Sequence, residues 1–283
     1  MKLVSFTRVG QPRFGTLVDG GIIDLTDRLG AGIATLRGAL EQGALPQAAA
    51  FIEGRSADYR SSDVTLLPVI PDPGKILCVG LNYETHRAET NRPDNQHPTI
   101  FTRYADSQIA HNQAMVKPDF SDSLDYEGEM AVIIGKGGRR IDEADALDHV
   151  AGYACYNDGT VREWQRHTHQ FAPGKTFPGT GGFGPFMMTA DEVGDYTALP
   201  IQTRLNGTVM QEATLADLIF PIARLIAYIS SFTPLAPGDV ILSGTPGGVG
   251  DKRTPPIYMQ SGDVVEVEIG KLGILRNPII EEE

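Results

Sequence analysis

Past residue 75 the chain is written mainly in short apolar or alternating runs. KILCVG, EMAVIIG, VAGYACYN, GPFMM, IQTRLNGTVMQ, DVILSG, DVVEVEIG and LGILRN each have the length and β-branched content of a strand. Asn206-Gly207 marks a hairpin turn within one of them. Helical patterns are few: a short one after Asn82, one near 142–148, one from about 160 and one at 221–232. Many strands, few helices and glycine-rich corners predict a mostly β, α+β fold with closed or rolled sheets.

The first 70 residues read differently. Residues 2–25 alternate as small strands around an Asp19-Gly20-Gly21 turn, and helical patterns follow near 33–42 and 46–55. TLLPVIPDPGK then brings three prolines in quick succession, which suits an extended connection. A boundary near residue 70 is therefore expected, with a small α+β accessory domain over 1–70 and the main domain over 71–283.

Composition narrows the function classes. A net charge of −12 disfavours nucleic acid and anionic membrane as partners, since both select clustered positive charge. The most apolar helical stretch, FPIARLIAYISSF, is too short to span a bilayer, and the N-terminus lacks a signal-peptide core. Cys78 and Cys155 both fall in apolar runs and read as buried, reduced residues. A cytosolic globular protein is expected.

Chemistry gathers around acidic residues. DYEGEMAVIIGK places Glu127 and Glu129 two positions apart at the head of an apolar strand, and period two puts both on one face. Burial of such carboxylates requires a compensating cation. Asp158 ends a second apolar strand and can complete an all-oxygen triad, which suits Mg²⁺ or Mn²⁺ better than zinc. Taken alone, Asp158 reads more simply as a helix N-cap, and Arg162 and Gln165 as one face of the helix it starts. Spacing cannot decide between these readings.

Five ordered blocks decide in favour of a site. GLNYETHRAE, DYEGE, YNDGTVREWQ, GKTFPGTGGFGP and LSGTPGGVG resemble the signature blocks of the fumarylacetoacetate hydrolase family, from about residue 75 to the C-terminus. The resemblance implies a mixed β-roll catalytic domain, a homodimer, and Mg²⁺ or Mn²⁺ held by Glu127, Glu129 and Asp158. It implies Lys175 near the substrate's enolate oxygen, His86 and Glu89 as a general-base pair, and Thr245 at the substrate carboxylate, with glycine amides beside it. Arg162 and Gln165 would face the substrate, and Tyr83 would line the pocket unless it is a packing residue.

The chain departs from the family pattern where many members carry Phe-x-Lys-Pro. Here Arg103 and Tyr104 follow Phe101, so Arg103 is expected to read a second anionic or hydroxyl group at the substrate's distal end. Gly-Thr-Val follows Asp158 where many relatives have a Val-Ser-Ala type segment, an expected change in pocket width. The activity expected is hydrolysis of the C–C bond of a 2,4-dioxo acid of the acylpyruvate type. Decarboxylation of oxaloacetate-like acids, isomerisation or hydration of 2-oxo-enoates, and a non-catalytic member of the fold are the alternatives. GTGGFG lacks the strand-turn-helix context of a dinucleotide site, GTPGGVGDK lacks phosphate-loop spacing, and His167 with His169 reads as an exposed loop.

Overall fold

The computed structural model describes residues 1–90 and 96–282. Its centre is the strand Gly128–Ile134, in which every residue is buried. Met130, Val132 and Ile134 point into one hydrophobic core, while Ala131 and Ile133 point into another. A strand covered on both faces needs a continuous apolar run, which is what EMAVIIG supplies. Each buried Val or Ile contributes about 1.5–3 kcal/mol.

Across the large sheet the order is Gly21–Asp24, Gln11–Val18, Lys2–Arg8, Gly181–Thr189, Val150–Asp158, Gly128–Ile134, Val240–Leu242, Ile76–Gly80, Thr99–Arg103. A second sheet contains Thr208–Thr214, Pro200–Leu205, Val264–Ile269, Ile274–Glu281 and Met115–Lys117. The fold is mostly sheet with short helices, as the alternation predicts. The hairpin at Asn206-Gly207 forms, with φ of 52° and 79° at the two residues.

Each core has its own cover. The helix Ile222–Phe232 buries Ile222, Leu225, Ile226 and Ile229, a helical stripe, against the first core, and turns Arg224 toward Glu143. Helices Leu36–Glu41 and Leu45–Ile52 cover the second with Leu36, Leu40 and Ala48. The sheet runs on through the boundary expected near residue 70, because Lys2–Arg8 pairs antiparallel with Gly181–Thr189, Lys2 opposite Met188.

The helix expected from about 160 is a single turn, Arg162–Gln165, because Thr160–Val161 pairs as a strand with Leu124–Asp125. Asp158 therefore caps no helix; Val161 stands at that position. Cys78 and Cys155 are buried and free. Among the described residues no helix is long and apolar enough to cross a membrane.

Candidate active site

Two neighbouring strands bring the carboxylates together. Gly128 pairs with Asn157, and the Asp158 backbone N–H donates to the Glu127 carbonyl at 2.8 Å. The register is fixed further by the Glu127 N–H, which donates to Asn157 Oδ1 at 3.0 Å. Glu127, Glu129 and Asp158 thereby offer oxygens that all lie within 4.8 Å of one another, each residue buried. They stand at the floor of a cavity of about 430 Å³, whose wall includes Glu127 and Glu129. Asp158, fully buried, closes the cluster from the protein side.

Three cations surround the cluster. Lys175 Nζ lies 2.5 Å from Glu127 Oε2 and 2.6 Å from Asp158 Oδ2. Arg162 Nη1 contacts Glu127 Oε1 at 2.7 Å and donates to Gln165 Oε1 at 2.9 Å. Arg103 Nη1 donates to Asp158 Oδ1 at 2.5 Å. Burial would raise the Glu127 carboxyl, but Lys175 and Arg162 outweigh it and hold the group at about 2. Burial would likewise lower the Lys175 ammonium, yet Asp158 and Glu127 shift it upward, so it is a fixed cation and a donor. Glu129 goes the other way: burial first, then the charges of Asp158 and Glu127, push its carboxyl well above the usual range.

This imbalance is what a metal centre would resolve. Asp125, Glu127, Glu129 and Asp158 are four buried carboxylates facing three buried cations, Arg103, Arg162 and Lys175. A hard divalent ion fits the excess, and the all-oxygen donor set suits Mg²⁺ or Mn²⁺.

The proton-transfer pair also assembles. His86, in the helix Glu84–Glu89, lines the cavity, and its Nδ1 lies 2.7 Å from Glu89 Oε1. Since the carboxylate accepts, Nδ1 donates in this pair, and Nε2 is the nitrogen outside it. Glu89 Oε2 accepts the Gly248 N–H at 2.8 Å, which locks the carboxylate that orients the ring.

Other expectations need correction. Tyr83 does not line the cavity: its ring is packed in the first core, 1% exposed. Arg103 reads no distal group of a substrate, because its guanidinium is fully buried against Asp158 and absent from the cavity wall. Asp158 shares no helix face with Arg162 and Gln165, although both of those line the cavity. Thr245 lines it too, but its hydroxyl donates to the Gly128 carbonyl at 2.9 Å, so its proton is already committed. The loop amides expected to bind a substrate anion instead bind the protein's own carboxylates: Gly244 N–H to Glu129, Gly248 to Glu89, Gly250 and Asp251 to Asp125.

Asp125 is the residue that sequence reasoning missed. Fully buried, it accepts from Arg162 Nε at 2.8 Å as well as from the two loop amides. It therefore ties the cavity arginine to the 250–251 turn. The signal was the same period of two, since Asp125, Glu127 and Glu129 alternate in DYEGE. Gln211 was missed as well; it accepts the Gly128 N–H at 3.0 Å and donates to Thr245 Oγ1 at 2.8 Å.

Residues 75–280 match the fumarylacetoacetate (FAA) hydrolase C-terminal family. The chain belongs to the fumarylacetoacetate hydrolase family. It is 39% identical over 288 residues to a mitochondrial oxaloacetate tautomerase of Xenopus laevis, covering 99% of this chain and 90% of that protein. Among solved structures, fumarylacetoacetate hydrolase from Exiguobacterium antarcticum superposes with a TM-score of 0.87 at 32% identity, covering 100% of both chains. Maleylpyruvate hydrolase from Sphingobium sp., in complex with manganese (II) ion and pyruvate, gives 0.84 at 27% identity, again with 100% of both covered. Fold and family are thus those the five sequence blocks resemble, and a divalent metal is supported by the acidic cluster together with the manganese complex of that neighbour.

Proposed function

We propose that the chain is a divalent-metal-dependent enzyme interconverting the enol and keto forms of a 2-oxo dicarboxylic acid of the oxaloacetate kind. The observation that carries this reading is the oriented His86–Glu89 pair on the wall of the cavity that also contains the carboxylate cluster. Likeness to oxaloacetate tautomerase over nearly the whole chain supplies the substrate class.

Enolisation needs a base at C3, stabilisation of the oxyanion developing at C2, and a proton for that oxygen. His86 Nε2 would take a proton from C3 of the keto acid, and the electron pair of that C–H bond would become the C2–C3 double bond. The C2=O π pair would move onto the C2 oxygen, which would then take back the proton held on His86 Nε2 to complete the enol; the reverse sequence delivers the proton to C3. Glu89 would stabilise the imidazolium in between. Glu127, Glu129 and Asp158 would hold the metal, which when bound supplies Lewis acidity at the 2-oxo group. Lys175, fixed as a cation beside the carboxylates, would offset the negative charge that develops on this oxygen through its field. Arg162, on the cavity wall, would face a substrate carboxylate.

A second reading, cleavage of a 2,4-dioxo acid of the acylpyruvate type, is favoured by the maleylpyruvate hydrolase neighbour. There the same Nε2 would take a proton from water, which attacks the 4-oxo carbon and releases a pyruvate enolate. The test is a paired assay with Mg²⁺: enol-oxaloacetate followed by loss of its absorbance, and an acylpyruvate followed likewise. Faster turnover of oxaloacetate without release of pyruvate supports the tautomerase. Release of pyruvate from oxaloacetate gives decarboxylation, and preferential acylpyruvate cleavage gives the hydrolase.

A further inference from the structure

We propose that Arg103 sets the ion preference of the carboxylate centre, by holding Asp158 as a one-oxygen ligand. The role rests on the metal-dependent reading above. Arg162 and Lys175 line the cavity and can answer to a substrate; Arg103 has no exposed side-chain surface and is absent from the cavity wall. It can act on the chemistry only through Asp158, which makes it a positioning residue.

The guanidinium is held on every side. Nη1 donates to Asp158 Oδ1 at 2.5 Å and to the Gly159 carbonyl at 3.1 Å. Nε donates to Ser107 Oγ at 2.9 Å, and Nη2 donates to Thr180 Oγ1. Gly181 leaves the space it fills, since a Cβ there would stand 2.7 Å from Nε and 3.0 Å from Cζ. The group therefore cannot swing away, and Oδ1 of Asp158 stays committed. Oδ2 is the oxygen on the Lys175 side, 2.6 Å from Nζ.

Small octahedral ions such as Mg²⁺ take single oxygens, whereas Ca²⁺ readily takes both oxygens of one carboxylate. Oδ2 is shared with Lys175, which lines the cavity and can give it up to an ion, whereas Oδ1 is held from the buried side by an arginine that cannot move; the two-oxygen grip, and with it the larger ion, is thereby disfavoured. Only the planar fork can serve Asp158, Gly159, Ser107 and Thr180 together.

The test is calorimetric titration of the full chain with Mg²⁺ and with Ca²⁺, in the natural protein and in R103M, R103K and T180V. The ratio of the two dissociation constants cancels the effect of the lost charge, which acts on both ions alike. R103M should weaken binding of Mg²⁺ by about 10–100-fold, the usual range for a partner of a metal ligand, and lower the preference for Mg²⁺ over Ca²⁺ with it. R103K, which can still donate to Oδ1 but lacks the fork that anchors the group, should lose part of that preference, and T180V, which loosens the guanidinium without removing charge, should lose part as well. An unchanged ratio in folded R103M overturns the role of Arg103; should R103M not fold, an unchanged ratio in T180V does so. A natural protein that binds neither ion overturns the metal-dependent reading itself, an outcome distinct from an unchanged ratio.

Discussion

The Lys175 ammonium stands 2.5 Å from Oε2 of Glu127, with 1% and 6% of the two side chains exposed. A charge pair so far from water persists only because each partner answers the other. Lys175→Met should therefore leave Glu127 and Asp158 short of a cation and cost about 3–5 kcal/mol of stability. Saturating Mg²⁺ should recover part of this, since an ion at about 100 times its Kd adds about 2.7 kcal/mol by mass action. Urea unfolding of natural protein and variant, with and without Mg²⁺, measures both effects. Equal midpoints for the two proteins would contradict the account of the pair.

Glu89 contacts His86 Nδ1 at 2.7 Å and Gly248 N–H at 2.8 Å, so it holds the imidazole to the loop. Glu89→Gln should reduce kcat by about 10²–10⁴-fold, the range of general-base assistance, with KM nearly unchanged. Steady-state kinetics with Mg²⁺ check this. A rise in KM alone would assign the pair to binding.

Gly181 faces both Tyr156 and Arg103, and a Cβ there would stand 2.6 Å from the tyrosine hydroxyl. Both neighbours are buried and have nowhere to go. Gly181→Ala should cost about 1–3 kcal/mol through overpacking. Thermal unfolding reads the loss, and a midpoint equal to that of the natural protein would show that the neighbours yield.

Far from the site, Asp24 is fully buried and accepts from Thr26 N–H at 2.9 Å and Arg13 Nη1 at 2.7 Å. Burial alone would raise its carboxyl, but these partners outweigh it and the net shift is downward. A carboxyl depressed in the folded state gives stability that is complete above its unfolded pKa, about 3.9, and lost as pH falls through the folded value. Asp24→Asn should thus cost about 1.5–3 kcal/mol near neutrality. The gap to the natural protein should close as pH falls below about 4. Urea midpoints from pH 7 to pH 3 test the closure; a constant gap would contradict it.

Local periodicity made much of this protein legible. Continuous apolar runs in EMAVIIG and VAGYACYND located the two central strands, and the charged residues at their ends located the triad. The period of two between Glu127 and Glu129, read one step further back, reaches Asp125. Contacts between distant segments were not legible. Arg103 meets Asp158 across 55 positions, and no pattern within FTRYADSQ announces that its charge is turned inward. Nor does the alternation of residues 2–8 reveal a partner in Gly181–Thr189, because pairing between remote strands depends on register and not on composition. The glycine-rich loop was misread for a similar reason. Its amides are suited to anions, but the anions turned out to be Glu89, Asp125 and Glu129 of the chain itself.

The central claim is that an oriented imidazole moves a proton at C3 of a 2-oxo acid beside a metal centre. Hydrogen–deuterium exchange at C3 of oxaloacetate, followed by NMR in D₂O with the Mg²⁺-loaded protein, tests it most directly. Exchange well above that of Mg²⁺ alone, lost in His86→Gln and in Glu127→Gln, is the predicted result. Exchange no faster than with Mg²⁺ alone, or unchanged in His86→Gln, would contradict it.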